Sequence, residues 1–131
     1  MDDEAAPLRL CASVDLPEKG RAFVFDVLEH RQPARAFVLR FENQLVGYLN
    51  RCRHVAAEMD WQPGEFLDSD RELIVCAIHG AVYEPLTGRC TGGPCGRARL
   101  VAIDVFECDG DVYWSPSRDI QPASRLHNTP S

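Results

Sequence analysis

A chain of 131 residues, 45% of them hydrophobic, has the size of one domain with an apolar core of its own. The net charge of −6 opposes a polyanionic partner and so argues against a nucleic-acid binder. No stretch reaches the roughly eighteen apolar residues of a membrane span, and Met1-Asp2-Asp3-Glu4 is acidic where a secretory leader is basic, so the expected location is cytoplasmic, away from the membrane.

Residues 1–8 are charged, carry Pro7 and read as a loose end. A first strand is predicted from Leu8 to Val14, followed by a turn cluster over Asp15-Leu16-Pro17-Glu18-Lys19-Gly20. Arg21 to Val27 places Phe23 and Phe25 on one face, and a polar break follows at His30 to Pro33. In Arg35 to Phe41, Phe37, Leu39 and Phe41 share one face, with Ala36 and Val38 on the other. Glu42-Asn43-Gln44 turns the chain into a strand from Leu45 to Asn50. Short strands at this spacing predict an all-β sandwich or barrel.

The middle of the chain is different. His54 to Trp61 contains good helix formers, enough for one or two turns, closed by Pro63-Gly64. Trp61 is expected to pack in the core beneath this loop. Glu72 to Cys76 reads as a strand, and Gly88 as the hairpin turn that returns the chain to Cys90. Arg99 to Glu107 reads as a long strand, Asp109-Gly110 as a two-residue hairpin turn, and Val112 to Trp114 as its second arm. From Ser115 the composition shifts to Pro, Ser, Arg and Asn. The domain is therefore placed at 1–116 and a disordered tail at 117–131.

The chemistry is carried by Cys52-Arg53-His54 and Cys76-Ala77-Ile78-His79, separated by twenty-one residues. Four Cys/His ligands suit tetrahedral zinc, but zinc fingers commonly pair like with like, and here each pair joins a thiolate to an imidazole. Iron–sulfur clusters in which two histidines replace two cysteines on one iron use that donor set. On these residues the chain resembles the Rieske [2Fe–2S] proteins. The resemblance continues through Gly80, the hairpin from Ala81 to Gly88, and Gly92-Gly93-Pro94, which is similar to the family's proline loop. It covers roughly residues 45–114.

The resemblance implies an antiparallel β base from residues 8–50 and 99–114 and a smaller cluster-binding lobe over about 51–98. It implies that Cys52 and Cys76 hold one iron and His54 and His79 the other, with the histidines at the exposed tip. With two thiolates only, the charges of the oxidised cluster cancel, which raises its potential over an all-cysteine cluster, into a range of about −150 to +300 mV. In high-potential members a serine and a tyrosine follow the second histidine by two and four positions. Here Ala81 and Tyr83 stand there, which implies a midpoint toward the low end. Tyr83 is equally readable as an ordinary strand aromatic. Gly80 is expected to make a tight turn whose N–H groups point at sulfur.

Six cysteines are present: Cys11, Cys52, Cys76, Cys90, Cys95 and Cys108. Respiratory Rieske proteins carry an extra cysteine in each ligand loop, and neither loop has one here. That departure favours the ferredoxin branch. Cys90 and Cys95 have a spacing that permits a disulfide, but a reducing compartment favours buried thiols. His30 and His127 are read as surface histidines. Arg51 and Arg53, either side of Cys52, would make the tip locally positive and steer a partner, or are simply solvated.

No residue is read as catalytic: no general base, nucleophile or substrate pocket stands out. Only seventeen residues follow Trp114, too few for the mononuclear-iron domain of an oxygenase. The expected function is therefore an electron carrier, passing single electrons between a reductase and a terminal oxygenase or other redox enzyme. The alternatives are a non-catalytic, cluster-bearing small subunit of a larger oxidoreductase, similar to those of assimilatory nitrite reductases, and a cluster-based redox sensor.

Overall fold

The computed structural model describes residues 6–51, 58–77 and 80–123. Ten strands occur among them: β1 (Leu8–Ala12), β2 (Phe23–Glu29), β3 (Gln32–Phe41), β4 (Gln44–Leu49), β5 (Ile74–Val75), β6 (Val82–Tyr83), β7 (Cys90–Gly92), β8 (Asp104–Cys108), β9 (Asp111–Ser115) and β10 (Ile120–Pro122). They form three antiparallel sheets, ordered β1-β9-β8, β10-β2-β3-β4 and β5-β6-β7.

Three tight turns set the register. At each, two successive residues have positive φ: His30 and Arg31 between β2 and β3, Glu42 and Asn43 between β3 and β4, and Asp109 and Gly110 between β8 and β9. Positive φ at both central positions matches the right-handed twist of the paired strands. β2 and β3 then pair without a break from Phe23 opposite Val38 to Glu29 opposite Gln32.

β3 is buried on both sides, and its alternation separates two cores. Phe37, Leu39 and Phe41 pack with Phe66, Leu67, Ile74, Cys76 and Tyr83, on the side of the β5-β6-β7 sheet. Ala36 packs with Leu49, Trp114 and Ile120, and Val38 with Cys11, Leu16 and Val112, on the side of β1 and β9. The Phe37 and Phe66 rings stack with centroids 3.7 Å apart. Burying a ring of this size contributes about 1.5–3 kcal/mol.

The other edge of the central sheet is partly closed. Leu49 N–H donates to Val101 O at 2.9 Å, and Ile103 N–H donates to Gly47 O at 2.9 Å. A Cβ on Gly47 would meet Ile103 Cγ1 at 2.8 Å and Val105 Cγ1 at 2.9 Å, so glycine is what lets the two strands approach. Residues 101–103 thereby bridge β4 to β8 and curl the sheets toward a barrel. The strand read from Arg99 to Glu107 is thus two segments: an edge partner of β4 and, after it, β8.

One further reading is corrected here, and one falls partly outside the described residues. The stretch read as tail from residue 117 contains β10, which pairs with β2 from Ile120 opposite Glu29 to Pro122 opposite Val27. Ile120 is buried against Val27 and Trp114, and this anchors the strand; residues 124–131 lie outside the described residues. The helix expected over 54–61 is absent from its described part, 58–61, and the rest lies outside the described residues. Among the described residues no helix is long and apolar enough to cross a membrane.

Candidate metal centre

Of the four expected ligands, Cys52, His54 and His79 lie outside the described residues, and Cys76 lies within them. Cys76 follows β5 directly and has 0% exposure, in the same core cluster as Ala81, Tyr83 and Cys95. Its backbone is held on both sides. Cys76 N–H donates to Ala81 O at 2.8 Å, and Cys76 O accepts from Gly80 N–H at 2.9 Å. These two bonds bring Gly80 and Ala81 back onto Cys76. Gly80 has φ +74°, in the left-handed region that favours glycine. The tight turn expected at Gly80 is present, and the Gly80 N–H is used within it.

The base of the first ligand loop is equally built. Asn50, 4% exposed, is the buried polar residue of the described core. Its side chain accepts from Met59 N–H at 2.8 Å and donates to Asp60 Oδ1 at 3.0 Å. Asp60 Oδ2 in turn accepts from Gly64 N–H at 3.2 Å. Asn50 precedes the loop and Met59 follows it, so one carboxamide ties its two ends together. Met59 O then accepts from Ala77 N–H at 3.1 Å, which joins the exit of the first loop to the residue after Cys76. Sequence reasoning missed Asn50, because an asparagine at a strand end reads as a turn former.

A third segment presses on the second ligand turn. Gly93 has φ +82°, and a Cβ there would lie 2.5 Å from Gly80 O and 2.8 Å from Ala81 Cα. The proline loop is thus in backbone contact with the Cys76–Ala81 turn. That loop is itself closed by a disulfide between Cys90 and Cys95, whose Cα atoms are 5.9 Å apart, within bridging range. The expected thiols at these two positions are therefore corrected. Cys11 and Cys108 are thiols, and burial, with Asp15 nearby, raises the Cys11 pKa.

The remaining expected features sort as follows. Tyr83 is buried in β6, opposite Ile74 on one side and Cys90 on the other. Trp61 is 47% exposed, with its Nε1–H donating to Leu67 O at 3.1 Å, so it lies over the surface rather than in the core. Arg51 pairs with Glu29 at 3.0 Å, which offsets its charge at the tip, and Arg53 lies outside the described residues. His30 is at the surface, 3.7 Å from Asp119.

A buried cysteine, two chain segments tied together at their bases, and a backbone contact with no room for a Cβ define a small antiparallel β protein with a candidate two-loop metal centre. The donor set of two cysteines and two histidines fits a [2Fe–2S] cluster of the histidine-ligated kind. The Rieske [2Fe-2S] domain family matches residues 6–107, and the chain belongs to that family. Its cofactor is accordingly a Rieske-type [2Fe–2S] cluster.

The fold has known counterparts. The chain is similar to the ferredoxin of carbazole 1,9a-dioxygenase from Nocardioides aromaticivorans IC177, with 23% identity and a TM-score of 0.67, over 86% of this chain and 100% of that one. It is similar to a chain in the complex of reduced oxygenase and oxidised ferredoxin of carbazole 1,9a-dioxygenase, with 22% identity and a TM-score of 0.63, over 83% of this chain and 92% of that one. A longer chain in the reduced oxygenase–ferredoxin complex matches at 19% identity and a TM-score of 0.67, over 82% of this chain but only 27% of that one. At these identities the likeness is one of fold. Among curated proteins none matches the chain.

Proposed function

We propose that the protein is a one-electron carrier whose cluster is held by Cys52 and Cys76 on one iron and His54 and His79 on the other. Its partners are a reductase and a terminal oxygenase, which dock transiently at the cluster end, and its location is cytoplasmic. The observation that carries the reading is the Cys76 turn, buried, tied to the first loop through Ala77 and Met59, and set within the span of the Rieske family match. The full-length likeness to a dioxygenase ferredoxin supports an oxygenase as the electron acceptor.

The cluster supplies a reversible one-electron site, and the chain's residues shape it. Ala81 is buried and offers no hydroxyl where high-potential relatives have one. The midpoint is therefore placed in the lower part of a range of about −150 to +300 mV. A redox titration returning a strongly positive midpoint would sink this.

The test of the function is electron paramagnetic resonance before and after reduction. A signal that appears only on reduction, with the low average g of histidine ligation, is the expected result. Stoichiometric zinc and no such signal would overturn the reading. Co-purification with a permanent large partner would replace the free carrier by a cluster-bearing subunit.

A further inference from the structure

We infer that Cys90 and Cys95 form a second redox site, a thiol–disulfide exchange site for dithiol reductants, and that its state governs how firmly the second ligand turn holds its metal. The first half stands on the disulfide alone; the second rests on the cluster reading.

The pair sits where opening it has consequences. Cys90 begins β7, opposite Tyr83, and Gly92 lies opposite Val82. Cys95 ends the 3-10 turn Gly93–Cys95 and is buried in the cluster that holds Cys76 and Ala81. Between the two cysteines runs Thr91-Gly92-Gly93-Pro94, and Gly93 is the residue in backbone contact with Gly80 and Ala81. The disulfide thus closes a short ring whose inner edge is the cradle of the ligand turn. Apart from its own backbone bonds and the one from Ala77 N–H to Met59 O, the contact with Gly93 is where this turn meets the proline loop.

The two sulfurs are also unequal. Cys90 is half-buried, and Thr91, Gly93 and Pro94 beside it are exposed, whereas Cys95 is buried. An external dithiol reaches the bond from the Cys90 side. Its thiolate attacks Cys90 Sγ, the Cys90–Cys95 bond breaks, and Cys95 leaves as a thiolate that takes up a proton. The second thiol of the reductant then attacks the mixed disulfide, releasing Cys90 as a thiol and the reductant as a cyclic disulfide. Two electrons and two protons pass from the dithiol to the protein. In a reducing compartment such a pair is a switch rather than a permanent staple. The start of β7 and the segment to Ala98 keep their own backbone bonds: Cys90 N–H to Ala98 O and Ala98 N–H to Cys95 O, both 3.0 Å. Opening the bond therefore loosens the loop without unfolding the strands.

The experiment equilibrates the as-isolated protein with mixtures of reduced and oxidised dithiothreitol, then alkylates and maps the thiols by mass spectrometry. Visible absorbance of the cluster is followed in parallel during challenge with an iron chelator. The expected result is that Cys90 and Cys95 become alkylated together as the dithiol rises, and that chelator-driven bleaching accelerates by about tenfold, the lower end of what loss of an outer-shell support causes. The double variant C90S/C95S should bleach at the fast rate with or without dithiol, and C108S should behave as the parent. Alkylation of Cys90 and Cys95 before any reductant is added would overturn the site. Opening of the bond with no change in bleaching rate would overturn its link to the cluster. A preparation with no visible cluster would count against the cluster reading and leave the thiol mapping to stand by itself.

Discussion

The carboxamide of Asn50 accepts from Met59 N–H and donates to Asp60 Oδ1, so a single buried side chain holds the two ends of the first ligand loop together. Replacing it by alanine removes both bonds and leaves the Met59 N–H buried without a partner. A buried donor left unpaired costs about 1–3 kcal/mol. N50A is expected to lower the unfolding free energy from urea titration by that amount and to release its cluster faster under chelator. Unchanged values for both would mean that the loop base is set by its backbone alone. N50D is the sharper probe: it keeps the acceptor for Met59 but sets a carboxylate against Asp60. Its loss of stability should grow as pH rises through the carboxylate range.

Gly93 and Gly80 both have positive φ, yet they predict different outcomes. A Cβ on Gly80 meets nothing within 4 Å, so G80A incurs only the left-handed backbone penalty of about 1–2 kcal/mol. A Cβ on Gly93 would sit 2.5 Å from Gly80 O, so G93A incurs that penalty and must also displace the turn that follows Cys76. G93A is expected to shift the visible absorbance of the cluster and to raise its loss rate, while G80A loses stability with a parent-like spectrum. Thermal melts and absorbance spectra of the two variants check this, and matching spectra would remove Gly93 from the cradle.

The family and the strand alternation were legible because both signals are short-range: the Cys-x-His and Cys-x-x-His pairs, and Phe37, Leu39 and Phe41 every second residue. The hairpin at Asp109-Gly110 was legible from turn chemistry. His30-Arg31 and Glu42-Asn43 make turns of the same kind without glycine, so their sharpness shows only in the backbone. What escaped depends on distant partners. β10 is three residues long in a Pro/Ser-rich stretch, and it is held by Ile120 packing on Val27 and Trp114, contacts that no local pattern announces. The Cys90–Cys95 bond was hidden because compartment chemistry argued for thiols, whereas the fold of β7 and the turn after it brings the two Cα atoms into range. Trp61 looked like core by residue type, yet its indole N–H finds Leu67 O at the surface.

Arg40 on β3 reaches across to Glu107 on β8, with Nη1 and Nη2 donating to its two carboxylate oxygens, while Nε donates to Leu16 O at 2.8 Å. The guanidinium holds the Glu107 carboxyl below its ordinary pKa of 4.5, helped by a hydrogen bond from Ser13. A lowered folded-state pKa contributes stability that is complete above the unfolded value and is lost as pH falls through the folded one. Stability should thus decline below about pH 4.5 with a component that E107Q lacks. Glu107 is partly exposed, so solvent screening holds the effect to about 0.2–1 kcal/mol at neutral pH. Urea unfolding of the parent and E107Q at pH 3 to 7, values chosen to span about that window, measures it.

Tyr48 on β4 gives the opposite sign at the opposite end of the pH scale. Its ring is buried under the Gly88 hairpin, and its hydroxyl donates to Pro85 O at 2.6 Å. Burial pushes its pKa up to about 12, from an ordinary value of 10.0, and Glu84 adds to the rise against Arg99. Below pH 10 the hydroxyl is protonated in both the folded and unfolded chain, and it contributes no slope. Between pH 10 and about 12 the unfolded chain loses this proton and the folded one keeps it, so stability falls as pH rises and levels off above. Y48F should abolish that part of the alkaline slope. At neutral pH it should cost about 1 kcal/mol for the lost bond to Pro85 O. Denaturant titrations of both proteins across the alkaline range check it, and an identical slope in Y48F would assign the alkaline loss to other groups.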